Sequence, residues 1–107
     1  MISSDIIRGY NDILILYLLF DNDGYGYEMS KRIDKMSGGL YSIKETTLYS
    51  AISRLEKNGY IDSYVGEVSL GRQRTYFRIT RLGKDYYIEK CREWRDTKLL
   101  IDKFIKN

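Results

Sequence analysis

The chain has 107 residues, enough for one small domain with a single core. It carries 18 Lys and Arg against 15 Asp and Glu, a net charge of +3, with one Cys and no His. An intramolecular disulfide is therefore excluded, the commonest general base and metal ligand is missing, and a reducing, cytoplasmic setting is expected.

The charge is unevenly spread. Residues 1–43 hold 6 acidic and 4 basic side chains, residues 44–80 hold 4 and 6, and residues 81–107 hold 5 and 8. The positive part thus begins near residue 44, a weak pointer to a polyanionic partner. Eleven Tyr is a high count for this length and suits surfaces that are half buried or meet a partner.

Ser3, Ser4 and Asp5 can cap a first helix over about residues 5–20. Asp5 and Arg8 interrupt any leader-like start, and the run Ile13 to Phe20 is too short to span a bilayer. From Ile13 onward that helix is apolar all round, so a small core cannot cover every face and a second subunit is the expected cover. Asp21–Asn22–Asp23–Gly24 is a turn. It is no calcium loop, because Tyr25 and Arg32 stand where oxygen ligands are needed, and Gly24 and Gly26 lack the third glycine of a dinucleotide fingerprint.

Tyr27 to Met36 predicts a second, short helix with Tyr27, Met29 or Ser30, Ile33 and Met36 inward, ended by Ser37–Gly38–Gly39. After a brief extended piece, Ser42 to Gly59 predicts the helix around which the chain is organised. Ser42 and Glu45 have capping-box spacing, Leu48, Ile52 and Leu55 form an apolar stripe, and Gly59 suits a positive-φ stop. The opposite face carries Thr46, Thr47, Ser50, Ser53, Arg54 and Lys57, a low, donor-rich surface of the kind a major groove accepts. Two short helices joined this way make a helix-turn-helix.

The period then changes to two. Tyr60 to Ser69 predicts a strand with Ile61, Val65 and Tyr64 toward the core, Leu70 to Gln73 a turn, and Arg74 to Thr80 the return strand. A hairpin directly after a helix-turn-helix is a wing, here tipped by Arg72 and Arg74; the same cations also discourage edge-to-edge pairing. Thr80 caps a last helix that can run to about Lys106, about 39 Å long. Its residues Tyr87, Cys91, Trp94, Lys98, Ile101 and Ile105 step by four and three into a heptad seam with one polar break at Lys98. A helix of that length outruns the core, so the seam, together with Ile13 and Tyr17, is expected to meet a second copy. Cys91 reads as a small buried hydrophobe there. No carboxylate pair stands beside a base, so no catalytic residue, metal or cofactor is expected.

Three sets of residues, in this order, resemble the PadR-like transcriptional regulators over about residues 10–90. Gly26–Tyr27–Glu28–Met29 resembles the family's G-Y-E-[LI]. Thr47–Leu48–Tyr49, Arg54–Leu55–Glu56 and Gly59–Tyr60–Ile61 resemble its T-L-Y…R-L-E-x-x-G-[LY]-I. Gly71, Arg74, Tyr76, Phe77, Ile79 and Thr80, followed by Gly83, resemble its wing return. The chain departs from the family at Ser50, Arg72 and Thr75.

The resemblance implies a mainly α fold with a small β-hairpin wing, an α+β winged helix-turn-helix over residues 1–80, with a C-terminal dimerisation helix over residues 81–107 in one compact unit. It implies a homodimer on a near-palindromic double-stranded operator, a repressor that lets go when a small-molecule effector arrives, and no enzyme. On that reading Thr46, Thr47, Ser50 and Arg54 face the groove. Ser42, Lys44 and Tyr49 meet phosphates, and Arg72 and Arg74 hold the flanking backbone or minor groove. Trp94, the sole tryptophan, would meet its symmetry copy beside Tyr10 and Leu14 and hold a planar hydrophobic molecule. A winged helix that docks on protein instead of DNA is the alternative.

Overall fold

A computed structural model describes residues 2–66 and 71–107. The order is α1 (Ser4–Ile7), a 3₁₀ turn (Arg8–Tyr10), α2 (Asn11–Leu19), α3 (Gly26–Met36), α4 (Glu45–Lys57), β1 (Ile61–Val65), β2 (Thr75–Ile79) and α5 (Arg81–Asp102). The architecture is mainly helical with one antiparallel hairpin, the winged helix-turn-helix with a long last helix that the sequence predicts.

The core is built around α2, which packs on α3, α4, α5 and β2. Ile15, Leu16, Leu18 and Leu19 of α2 meet Met29 and Ile33 of α3, Leu48, Ala51, Ile52 and Leu55 of α4, and Ile61 and Phe77 of the hairpin. Each such Leu, Ile, Met or Phe side chain contributes roughly 1.5–3 kcal/mol on full burial. Asn11 is the buried polar side chain at the start of α2, and its Oδ1 accepts from the Tyr41 hydroxyl at 2.9 Å.

Both short helices end in paired backbone bonds closed by glycine. At the end of α4, Gly59 (φ 80°) donates to Glu56 O and Tyr60 donates to Leu55 O; at the end of α3, Gly38 (φ 62°) donates to Lys35 O and Gly39 to Asp34 O. The strands pair from Ile61 opposite Ile79 to Val65 opposite Thr75. Gly24 adds a bridge to Phe77, exchanging both backbone hydrogen bonds at 3.1 and 2.8 Å, and so ties the α2–α3 loop to the wing. Thr80 caps α5 as expected, accepting from Gly83 N–H at 3.0 Å.

Several local expectations need correction. The predicted first helix is broken by the 3₁₀ turn at Arg8–Tyr10, where Gly9 offers little helix propensity. Lys44, not Ser42, is the N-cap of α4, and no side chain caps it. Ser42 lies in the extended approach, where its hydroxyl donates to Asp34 Oδ1 at 2.6 Å. Tyr27 and Met36 are exposed; Met36 lines an open apolar cavity beside α2 and does not close against it. Val65 is exposed at the outer end of the hairpin, past the reach of the core. The last helix ends at Asp102, one turn early. Glu67 to Ser69 of the predicted strand and Leu70 of the predicted turn lie outside the described residues.

Candidate nucleic-acid interface

On α4, Leu48, Ala51, Ile52 and Leu55 are buried. At 100° per residue the opposite line is Thr46, Ser50, Ser53 and Lys57, all exposed. Thr46 and Ser50 are therefore central to the outward face. Ser53 and Lys57, part of the polar face in sequence but not among the residues first assigned to DNA, share that line. Thr47 is half buried on one flank and Tyr49 is exposed on the other. Lys44 stands exposed at the start of the helix.

Tyr49 is held by a close approach. A Cβ on Gly26 would fall 2.2 Å from the Tyr49 hydroxyl, so the glycine at the start of α3 makes room for the ring. A cleft of about 350 Å³ between α3, α4 and the wing is lined by Tyr25, Gly26, Tyr49, Arg72 and Arg74 among others. The structure thus brings both wing arginines beside Tyr49. The Arg74 guanidinium lies 4.4 Å from the Tyr25 ring centroid, and the Arg78 guanidinium 5.1 Å from that of Tyr64. Tyr76 packs against both Tyr25 and Tyr64, so cations and rings alternate along the hairpin. The Tyr64 hydroxyl donates to Asp23 Oδ2 at 2.6 Å, a bond that raises its pKa.

Arg54 stands apart from the outward line. Its Nη2 donates to Asp12 Oδ1, so its guanidinium is engaged by α2. Ser42 is likewise engaged, by Asp34. On the other side, Arg8 of the 3₁₀ turn lines a shallow hollow of about 250 Å³ with Thr46, Thr47, Ser50 and Arg54. Sequence reasoning did not single out Arg8, because nothing local says that the turn before α2 comes to rest beside α4.

The residues expected at the dimer contact divide into two groups. Ile13, Tyr17 and Tyr87 line an apolar cavity of about 380 Å³, with Leu14, Ile2, Met36 and Leu40. Cys91 is half buried, while Trp94, Lys98, Ile101 and Ile105 are exposed, and Lys98 Nζ donates to Asp102 Oδ2 at 2.7 Å. Tyr10 and Trp94 meet edge to face with centroids 5.3 Å apart. Leu14 lines the cavity and the Tyr10–Trp94 pair does not, so the three residues expected around one effector do not share one pocket within the chain. No group of His, Cys, Asp and Glu among the described residues could hold a metal ion, and no helix described is long and apolar enough to cross a membrane.

The sequence pattern of the transcriptional regulator PadR-like family matches residues 15–89. An uncharacterised protein of Lysinibacillus sphaericus is 47% identical over 106 residues, 99% of this chain and 97% of that protein. A transcriptional regulator from Clostridium thermocellum is 59% identical and superposes with a TM-score of 0.92, covering 99% of this chain and 100% of that one. Bacillus subtilis PadR, solved in complex with operator DNA, is 20% identical with a TM-score of 0.69 over 77% of this chain and 46% of that one, a likeness of fold alone.

Proposed function

The chain belongs to the PadR-like family of transcriptional regulators, and from that premise we propose that it acts as a homodimeric repressor on a near-palindromic operator. The observation that carries the DNA reading is the outward line of α4: hydroxyls at Thr46, Ser50 and Ser53 and a cation at Lys57, with no acid among them. Thr46 and Ser50 would face base edges, and Thr47 and Tyr49 the groove walls. Lys44, Arg72 and Arg74 would neutralise phosphates and fix the register. Ser42 and Arg54 enter this reading only if DNA draws them from Asp34 and Asp12. A neighbour of the same fold was solved on operator DNA, which supports the same use of this one.

The dimer reading rests on α5. It runs antiparallel to α2, with Lys84 over Phe20 and Trp94 against Tyr10, and then continues past the start of α2. Leu99, Leu100, Ile101, Phe104 and Ile105 are exposed beyond that point. A second copy would supply the surface these residues lack, and its own overhang would fill the cavity lined by Ile13, Tyr17 and Tyr87. Release by a planar hydrophobic molecule at Tyr10 and Trp94 belongs to this proposal; quenching of the single tryptophan by such compounds tests it, and no response across a varied aromatic panel would remove it.

The test of the whole reading is a duplex selected from a random pool, titrated over a range of salt. Log affinity should fall linearly with log salt, and Arg72→Ala should lower that slope by about 1. Ser50→Asp should abolish binding, since a carboxylate would sit in the middle of the groove-facing line. A flat salt dependence, or no selected duplex, would favour a winged helix that docks on protein.

A further inference from the structure

The carboxylate of Asp12 is held where three helices meet. Its side chain is 14% exposed. One oxygen accepts from Arg54 of α4, and the other accepts from the Tyr86 hydroxyl of α5 at 3.1 Å. The Tyr86 ring in turn stacks on Tyr60, with centroids 4.0 Å apart and planes 11° from parallel. Tyr60 closes the end of α4 by donating to Leu55 O at 2.9 Å. The C-terminal end of α4 is thus tied to α5 twice, through Asp12 and through the aromatic stack, while α2 packs against both helices.

Apolar packing resists separation of two helices but tolerates small slides and tilts. A charge-assisted hydrogen bond is directional and selects one setting. From Arg54 to Thr46 is eight residues, about 12 Å of helix. A tilt of ~10° about the Asp12 joint would therefore displace Thr46 by ~2 Å, and two symmetric copies would together shift by ~4 Å, about the 3.4 Å rise of one base pair.

We propose that Asp12 is a positioning residue which, by holding Arg54 and Tyr86 on its two oxygens, sets α4 against the dimerisation helix and so determines the operator half-site spacing that the dimer accepts. This rests on the dimeric DNA-binding reading above. Asp12 itself touches no DNA; it acts through the angle between the helix that reads and the helix that pairs.

The experiment compares wild type, Asp12→Asn and Tyr86→Phe, as full chains. The duplexes carry the spacing selected from a random pool, or that spacing lengthened or shortened by one base pair. Tyr86→Phe keeps the ring stack and the Arg54–Asp12 pair and removes one hydrogen bond, so it guards against a misfolded Asp12→Asn. Wild type should prefer the selected spacing. Both variants should lose about threefold or more of that preference, the strength of one partly exposed charged hydrogen bond. A joint that only stabilised the fold would weaken binding at all spacings alike, and that result overturns the proposal. An unchanged preference in either variant overturns it too, because the proposal needs both oxygens. If wild type binds no duplex, or ignores spacing, the dimeric reading itself fails and this inference falls with it.

Discussion

Tyr86 keeps its proton far into the alkaline range. Burial, and then the Asp12 carboxylate that accepts from it, push its pKa up from 10.0 to about 12. The fold favours the neutral phenol, so as pH rises past 10 the unfolded chain loses this proton first. Folding stability should be full below pH 10 and should fall between pH 10 and about 12. Tyr86→Phe should make that decline shallower in urea unfolding measured from pH 8 to 11.5. Part of it should persist, because Tyr87, desolvated and beside the Cys91 thiol, is also raised to about 12. Single residues were also where the sequence misled. Ser42 and Glu45 have the spacing of a capping box, but Asp34 of the preceding helix competes for the Ser42 hydroxyl. Arg54 sits on the polar side of α4, but nothing within five residues reveals that Asp12, forty-two positions away, takes its guanidinium.

At the scale of elements, the joint between the hairpin and α5 depends on a glycine inside a helix. Gly83 is buried in the first turn of α5, and a Cβ there would fall 2.0 Å from Tyr60 O and 2.8 Å from Ile79 Cγ1. Alanine would raise helix propensity by about 1 kcal/mol. The backbone carbonyl cannot step aside, however, because Tyr60 O accepts from Thr80 N–H at 3.0 Å. Gly83→Ala should therefore destabilise the chain by about 2 kcal/mol net. That is a fall in melting temperature of about 8 °C in a domain of this size, measured by calorimetry. The elements themselves were largely legible. Periods of 3.6 and 2, the glycines after α3 and α4, and Thr80 before α5 are local signals, and the secondary structure is set by local signals at those places. Boundaries were less legible. The first helix breaks at Gly9 and the last stops at Asp102, and no strong capping residue marks either place.

At the scale of the molecule, the chain measures 54 × 29 × 21 Å, long for its mass because the end of α5 projects from the body. Trp94 packs edge to face on Tyr10, just before α2, and Phe104 beyond it is 76% exposed. Exposed apolar residues at this density call for a partner surface. Leu100→Glu together with Phe104→Glu should leave the fold intact, since both residues are exposed, and should convert the proposed dimer to a monomer in sedimentation equilibrium. A dimer that persists would place the subunit contact elsewhere.

The amino-acid pattern alone determined that the fold is mainly helical with a hairpin after a helix-turn-helix, and that both end helices carry more apolar surface than one core can bury. Those properties follow from periodicity, capping and composition, which act within a few residues. Tertiary structure alone decided which polar side chains of α4 remain outward, that Arg8 and Tyr49 flank them, and that Asp12 joins α2, α4 and α5. Hydrogen-bond partners brought together from distant parts of the chain are chosen by packing, and spacing along the sequence carries no record of that choice.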